Sequence, residues 1–152
     1  MAKGYDPIVT NVETPFEIGK AILMRQGKDV LVITTGITLK FALECADEMN
    51  SKGIEVTILH MPTIKPLDTD TILSLAEKIS VIVVIEEHSI IGGIGSAVAE
   101  VILEANYSEP KKFKRIGMDD RFPDEYGSQA SLMERFSITK SKLGQVIQNL
   151  II

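Results

Sequence analysis

The chain alternates between short apolar runs rich in β-branched residues and longer segments whose apolar residues recur every three to four positions. The first pattern occurs at residues 29–36, 54–61, 81–86 and 113–118, and it predicts buried strands. The second pattern fills the intervals between them and predicts amphipathic helices. Because strands that alternate with helices form parallel sheets covered on both faces, the chain is predicted to be an α/β protein.

A shorter apolar stretch, Ala21–Met24, comes before the first of these strands and is separated from it by a few residues around Gly27. So short a gap permits a hairpin but no helical crossover, which predicts an antiparallel strand at the edge of the sheet. Asp68 and Thr139 are predicted to cap two of the helices. We therefore predict a three-layer α/β/α sandwich around a mixed five-stranded sheet with one antiparallel edge strand.

The composition narrows the range of functions. Residues 17–152 are predicted to form one domain, and residues 1–16, which show no sustained period, a linker or domain junction. A formal net charge of −5 argues against nucleic acid as a partner, since phosphates require clustered cations. The lone Cys45 excludes an internal disulfide and is predicted to be a buried thiol. Neither a signal peptide nor an apolar run long enough for a membrane is found, so we predict a cytoplasmic protein without a membrane partner.

A glycine-rich turn at residues 86–96 is the segment most suggestive of ligand binding, because parallel sheets bind ligands beyond the carboxyl ends of their strands. Gly92, Gly93 and Gly95 precede a predicted helix, whose N-terminal amides can bind an anion. Neither a dinucleotide fingerprint nor a Walker loop is present. A tight turn with close packing of the helix on the sheet is the favoured interpretation, and anion binding remains open.

The same segment begins with two carboxylates and a histidine, a combination that can serve acid–base or metal chemistry. Alternation along an extended strand would place Glu86 and His88 on one side and Glu87 on the other unless the chain bends there. His60 is the only other histidine, and it ends a neighbouring strand. A metal site is therefore not favoured, and the residues alone yield no complete catalytic, cofactor-binding or metal-binding set.

The motifs at the ends of the predicted strands carry a family resemblance. In chain order they are Thr35-Gly36, Thr63-Ile64-Lys65-Pro66-Leu67-Asp68, Glu86-Glu87-His88 with Gly92-Gly93-Ile94-Gly95-Ser96, and Gly117 with Asp120, Phe122 and Gly127. This series closely resembles the C-terminal domain of transketolase from about residue 13 to the end of the chain. The wider family includes deoxyxylulose-phosphate synthase and the beta subunits of 2-oxo acid dehydrogenases, and His88 after two glutamates is more similar to transketolase than to the synthase.

The resemblance implies membership of a thiamine diphosphate enzyme that moves two-carbon ketol units between sugar phosphates, with a divalent metal, Mg²⁺, beside the cofactor. In that family the cofactor lies between an N-terminal diphosphate-binding domain and a middle pyrimidine-binding domain. Neither domain is in this sequence, so the resemblance implies no catalytic, cofactor-binding or metal-binding residue and no cofactor held by this chain. The two domains are the expected partners, and a homo-oligomer is expected.

The resemblance also implies a domain that serves assembly or dimerisation and is inactive by itself. The residues expected at its contact edge are Thr35, Lys65, Glu86, His88, Gly92, Gly93 and Gly95. Two alternatives remain open. The chain could be the corresponding domain of deoxyxylulose-phosphate synthase or of a 2-oxo acid dehydrogenase beta subunit, or it could be a stand-alone module that binds a nucleotide or another anion through the glycine-rich turn.

Overall fold

The computed structural model describes residues 8–10 and 14–151, so the predicted linker at residues 1–16 falls largely outside the described part of the chain. The strands are β1 (Ile22–Arg25), β2 (Val30–Thr34), β3 (Val56–His60), β4 (Val81–Ser89) and β5 (Lys112–Met118). The helices are α1 (Thr38–Ser51), α2 (Thr69–Lys78), α3 (Ile94–Glu104), α4 (Gln129–Arg135) and α5 (Lys140–Ile151). Across the described residues, none of these helices is long and apolar enough to cross a membrane.

The strands form a mixed sheet in the order β1-β3-β2-β4-β5. β2 lies in the middle with β3 and β4 parallel to it on either side, and β5 runs parallel to β4. β1 is antiparallel to β3 and forms one edge of the sheet. The predicted mixed five-stranded sheet with one antiparallel edge strand is thus confirmed.

Two hydrophobic layers cover the two faces of the sheet, as alternation along β2 makes clear. Val30 and Val32 point into a cluster that includes buried residues of α1, α4 and α5. Leu31 and Ile33 point the other way, into a cluster formed with α2 and α3. All four side chains are fully buried, because successive residues of a central strand face opposite sides and here both sides carry helices. This is the predicted three-layer sandwich.

The predicted hairpin between β1 and the following strand is wrong. β1 pairs with β3, and β2 is already flanked by β3 and β4 over its full length. Both edges of β2 are therefore occupied, and β1 joins the sheet at the outer edge of β3 instead. The connection at residues 26–29 has to cross the amino end of β3 to reach β2, a crossing that needs no helix because it passes only one strand end.

Gly27 is the residue that makes this crossing possible. A Cβ placed on it would lie 2.6 Å from the carbonyl carbons of Glu55 and Val56, so the connection lies directly on the backbone that leads into β3. The Gly27 amide donates to Thr57 Oγ1 at 2.9 Å, and the same hydroxyl donates to the Gly27 carbonyl at 2.7 Å. Asp29 accepts from the Glu55 amide at 2.7 Å, which fixes the end of the crossing.

Cys45 lies at the contact between α1 and α5. Its side chain is buried, and its Sγ would lie 3.7 Å from a Cβ built on Gly144 of α5. Burial away from water is the main reason that the pKa of this thiol is raised to about 11. The prediction of a buried thiol is confirmed.

Candidate functional site

A cleft of about 320 Å³ lies at the carboxyl ends of β2 and β4. From β2 the chain continues to β3 on one side of it, and from β4 it continues to β5 on the other side. Such a reversal of direction is the place where open α/β sheets bind ligands, because the loops on its two sides leave a crevice between them. The topology therefore marks this cleft as the candidate functional site.

Most of the contact edge expected from the sequence is assembled at this cleft. The predicted residues that line it are Thr35, Glu86, His88, Gly92 and Gly93. Lys65 is exposed and follows Ile64, which also lines the cleft. Gly95 is buried behind it in the first turn of α3. The structure thus brings five of the seven residues together at the cleft. Lys65 lies beside them, and Gly95 lies beneath them.

Glu86 is turned inwards and closes the N-terminus of α3. The residue is only 1% exposed. Its Oε2 accepts from the Ile94 amide and its Oε1 from the Gly95 amide, each at 2.8 Å. A carboxylate at this position satisfies two helix amides that have no intrahelical partner and complements the positive end of the helix dipole. The glycine-rich turn therefore does hold an anion, but the anion is the protein's own side chain.

The glycines of the turn fall into two kinds. Gly93 and Gly95 leave room for the carboxylate, since a Cβ on either would lie within 3 Å of a Glu86 side-chain oxygen. Gly92 has open space around it but a φ of +75°, and Gly36 at the end of β2 likewise has open space and a φ of +55°. At these two positions the positive φ, and not the space around a Cβ, is what favours glycine.

Glu86, Glu87 and His88 all line the cleft, and the register of β4 against β5 is irregular between Ile85 and Ser89. The carboxylates of Glu86 and Glu87 nevertheless point to opposite faces of the sheet, as alternation predicts, because Glu86 reaches α3 in one helical layer and Glu87 reaches α4 in the other. Glu87 accepts a hydrogen bond from Gln129 at the start of α4, at 2.7 Å. His88 is exposed, and its Nδ1 lies 3.1 Å from the Ser89 carbonyl.

The second histidine lies apart from the first. β2 separates β3, which ends at His60, from β4. His60 Nδ1 lies 3.1 Å from Thr34 Oγ1, and burial lowers the pKa of the imidazole below its ordinary value. Among the described residues, no three His, Cys, Asp or Glu side chains are grouped so that they could hold a metal ion.

The loop before α2 holds the start of β1 in place. The Gly19 amide donates to Thr63 Oγ1 at 2.8 Å, and the Ala21 amide donates to Asp68 Oδ2 at 2.9 Å. Asp68 also accepts from the Thr71 amide at 3.3 Å, which confirms it as the N-cap of α2. Thr63 and Asp68 therefore have a structural role that the sequence pattern did not indicate, because their partners are 44 and 47 residues away.

Asp68 is expected to make folding stability depend on pH. Burial raises the pKa of its carboxyl, but the hydrogen bonds from Ala21 and Thr71 outweigh burial and hold the pKa below its ordinary value. Such a group stabilises the fold above its unfolded-state pKa of about 4, and this contribution is lost as the pH falls through the folded-state pKa. Asp68→Asn should therefore lower the free energy of unfolding at pH 7 by about 1–2 kcal/mol and flatten its decline below about pH 4.

Urea unfolding at a series of pH values between 7 and 2.5 measures this effect. The matched control is Asp70→Asn, which removes the same charge from an exposed position in the same helical turn. If the free energy of unfolding of the two variants depends on pH in the same way, the hydrogen bonds of Asp68 are not the cause of the pH dependence.

Sequence reasoning missed the apolar part of the cleft. Ile37, Ile64 and Ile94 line it together with the polar residues. Ile37 directly follows a turn motif, and Ile64 and Ile94 lie inside two others, so each appeared to belong to a helix start or a loop rather than to a site. Ile64 is 43% exposed, and Ile91, within the glycine-rich turn, is 58% exposed. An apolar cleft with exposed isoleucines at its rim is better suited to another protein surface than to a highly charged small molecule.

Comparison with known proteins identifies relatives of the whole domain. Residues 19–143 match the family model described as transketolase, C-terminal domain. A transketolase family protein of Sinorhizobium fredii is 42% identical over 129 residues, which cover 84% of this chain and 37% of that protein. A 1-deoxy-D-xylulose-5-phosphate synthase of Synechocystis sp. is 38% identical over 141 residues, which cover 93% of this chain and 22% of the synthase.

Among solved structures, a split gene transketolase described as an inactive beta4 tetramer superposes with a TM-score of 0.85 and 32% sequence identity. The match covers 95% of this chain and 46% of that one. The chain therefore spans less than half the length of each of these three proteins.

Proposed function

Because this chain belongs to the transketolase C-terminal domain family, we propose that it is the C-terminal part of a thiamine diphosphate-dependent transketolase and serves the assembly of that enzyme. The enzyme would transfer ketol groups between sugar phosphates in the cytoplasm. In this proposal the chain presents its carboxyl-edge cleft to the diphosphate-binding and pyrimidine-binding domains, and the complete enzyme is a homo-oligomer of such units. The catalytic centre lies on those partner domains.

The observation that carries the proposal is the way in which Glu86 fills the glycine-rich turn. Its two carboxylate oxygens occupy the amides of Ile94 and Gly95, which a phosphate would otherwise bind. The cleft beside them retains exposed isoleucines and an exposed histidine, which are available to a protein surface. These features support a role in protein contact, since the anion-binding amides of the turn are already occupied by Glu86.

Thiamine diphosphate and Mg²⁺ do not fit the residues that the structure describes. The metal ion requires oxygen ligands grouped around one point, and the diphosphate requires hydrogen-bond donors or cations. In the described ranges, acidic side chains are not grouped in this way. We therefore assign the cofactor of the complete enzyme to the partner domains and derive no catalytic step from this chain.

A second candidate is the same assembly role in a 1-deoxy-D-xylulose-5-phosphate synthase. It is favoured by the 38% identity to the Synechocystis enzyme over 93% of this chain. The 42% identity to the transketolase family protein of Sinorhizobium fredii favours the first candidate. The two candidates share the role of this domain and differ in the reaction of the partner domains.

The proposal is tested by mixing the purified chain with the chain or chains of the same genome that carry the two partner domains. We expect a stable complex by analytical ultracentrifugation and ketol transfer by the complex. We expect no ketol transfer by this chain alone. Micromolar binding of thiamine diphosphate to this chain alone, measured by calorimetry, would contradict the proposal.

A pair of matched variants tests the assigned surface. Ile64→Asp places a charge at the cleft and should weaken the complex at least tenfold, because a buried charge without a partner is costly at an interface. Leu103→Asp places the same charge at an exposed position near the C-terminus of α3, at the end of the helix that is far from the cleft. It should leave the affinity unchanged. Equal affinities for both variants would show that the cleft is not the contact surface.

A further inference from the structure

The segment that follows β5 carries two aromatic side chains that the described part of the fold leaves exposed. Ten consecutive residues, 119–128, are exposed. They include two aromatic side chains, of which Phe122 is 92% exposed and Tyr126 is fully exposed. Aromatic side chains gain most from burial, so two that project into water from one short loop mark a surface that another molecule covers. We call residues 119–127 the aromatic loop.

The backbone of the aromatic loop is fastened to the domain while these two rings are left outside. Arg121 stacks on the ring of Phe136, with its guanidinium carbon 4.9 Å from the ring centroid, and donates to the Arg135 carbonyl at 3.3 Å. Arg135 in turn forms an ion pair with Glu125. These contacts hold the loop on either side of Phe122, so the ring's exposure results from how the loop is anchored.

Pro123 provides a further internal contact. It lines an apolar hollow of about 230 Å³ with residues that include Met118, Leu132 and Phe136. Residues 121, 123 and 125 thus contact the domain, whereas residues 122 and 126 do not contribute to the hydrophobic clusters of the described residues. An aromatic side chain presented on an anchored loop loses little conformational freedom on binding, which is typical of interface anchor residues.

The charge of the aromatic loop indicates the chemistry of its partner. Four carboxylates lie in the loop with the two rings, Asp119, Asp120, Asp124 and Glu125, together with one cation, Arg121. Asp119 lies 3.7 Å from Arg121 and Glu125 pairs with Arg135, so Asp120 and Asp124 carry most of the excess negative charge. A second copy of this acidic chain, with a net charge of −5, is a poor electrostatic match for such a loop. A surface with apolar pockets for two rings and lysine or arginine residues around them is a good match.

The loop also lies where the partner domains are proposed to be. It follows the carboxyl end of β5, and Glu87, which lines the central cleft, also lines the hollow beneath Pro123. The cleft and the aromatic loop are therefore neighbouring parts of the surface at the carboxyl ends of the strands. Resting on the proposed function, we infer that Phe122 and Tyr126 insert into apolar, basic-rimmed pockets on the chain or chains that carry the cofactor-binding domains.

The test compares affinities for those catalytic chains, measured by surface plasmon resonance at 50 and 500 mM NaCl. Phe122→Ala combined with Tyr126→Ala should weaken binding about 100-fold, because aromatic anchors dominate interface energies. Leu103→Ala, at an exposed apolar residue of α3, is the matched control and should change affinity less than twofold. Thermal unfolding of both variants should match the wild type, since the replaced side chains are exposed.

Asp124→Lys tests the basic rim separately. It should slow association at 50 mM NaCl about tenfold and have a smaller effect at 500 mM, since salt screens attraction between exposed charges. An association rate that is independent of both salt and this substitution would overturn the assignment of a basic partner surface.

The remaining outcomes separate this inference from the proposed function. If the wild-type chain binds the catalytic chains and the double alanine variant binds equally well, the inference is wrong and the proposed function stands. If the wild-type chain does not bind them, both fail. If the wild-type chain alone dimerises in the ultracentrifuge and only that dimer is lost in the double variant, the loop contacts a second copy and the inference is overturned.

Discussion

Glu86→Gln is expected to lower the free energy of unfolding by about 3 kcal/mol, although the two side chains have the same shape. Both carboxylate oxygens accept from backbone amides of α3. Glutamine has one oxygen and one NH₂ group, so one helix amide would face another donor in a buried site. The loss of negative charge at the helix N-terminus adds to this effect. Thermal unfolding should show a midpoint lower by roughly 6–12 °C.

Glu100→Gln is the matched control, since it removes the same charge from an exposed position of the same helix and should be nearly neutral. A double-mutant cycle with Gly93 isolates the contact, because a Cβ on Gly93 would lie 2.1 Å from Glu86 Oε2. Gly93→Ala should therefore destabilise the Glu86→Ala protein less than it destabilises the wild type. Additive effects of the two substitutions would mean that the glycine does not serve the carboxylate.

Gly27→Ala is the second substitution with a large expected effect, and it should cost roughly 3 kcal/mol or more. The added methyl would lie 2.6 Å from backbone atoms of Glu55 and Val56, which cannot rotate away as a side chain could. Relief requires the crossing at residues 26–29 to lift off β3, which would also break the hydrogen bonds with Thr57. Chemical denaturation followed by circular dichroism measures the loss.

The same substitution at Gly144 provides the control. There the methyl would lie 3.4 Å from Met49 Cε, which is ordinary contact with a flexible side chain, and alanine favours the helix by up to about 1 kcal/mol. Gly144→Ala should thus be neutral or stabilising. If Gly27→Ala proves equally harmless, the crossing does not lie against β3 as described.

Local sequence patterns were sufficient to predict the elements and their layers. The apolar runs of β2 and β4 and the caps at Asp68 and Thr139 depend on nearby residues only, and the structure contains them. The neighbour of β1 depends instead on which strands flank β2. That choice is made by the helical connections α1 and α2, far along the chain, so the length of the gap around Gly27 indicated a hairpin wrongly.

The location of the candidate site was predictable from the sequence, but the contacts that its side chains make were not. Strand ends and glycines located the cleft, because parallel strands bring their carboxyl ends to one edge. The inward direction of Glu86 was not predictable, since a pair of glutamates before a histidine is equally typical of an exposed reactive site. The spacing from Glu86 to Gly93 and Gly95 does not by itself reveal their contact. Only in the folded turn does the carboxylate fill the space that the two glycines leave.

The carboxylate of Glu86 at the start of α3 makes the fold of this domain independent of a bound cofactor. A turn that needed a cofactor phosphate to complete it would tie the domain to one cofactor and to one position in a longer polypeptide. Here the stabilising anion is encoded in the same gene as the amides that it binds. The folding of this turn therefore does not depend on a phosphate from a cofactor, wherever the domain stands in a longer polypeptide.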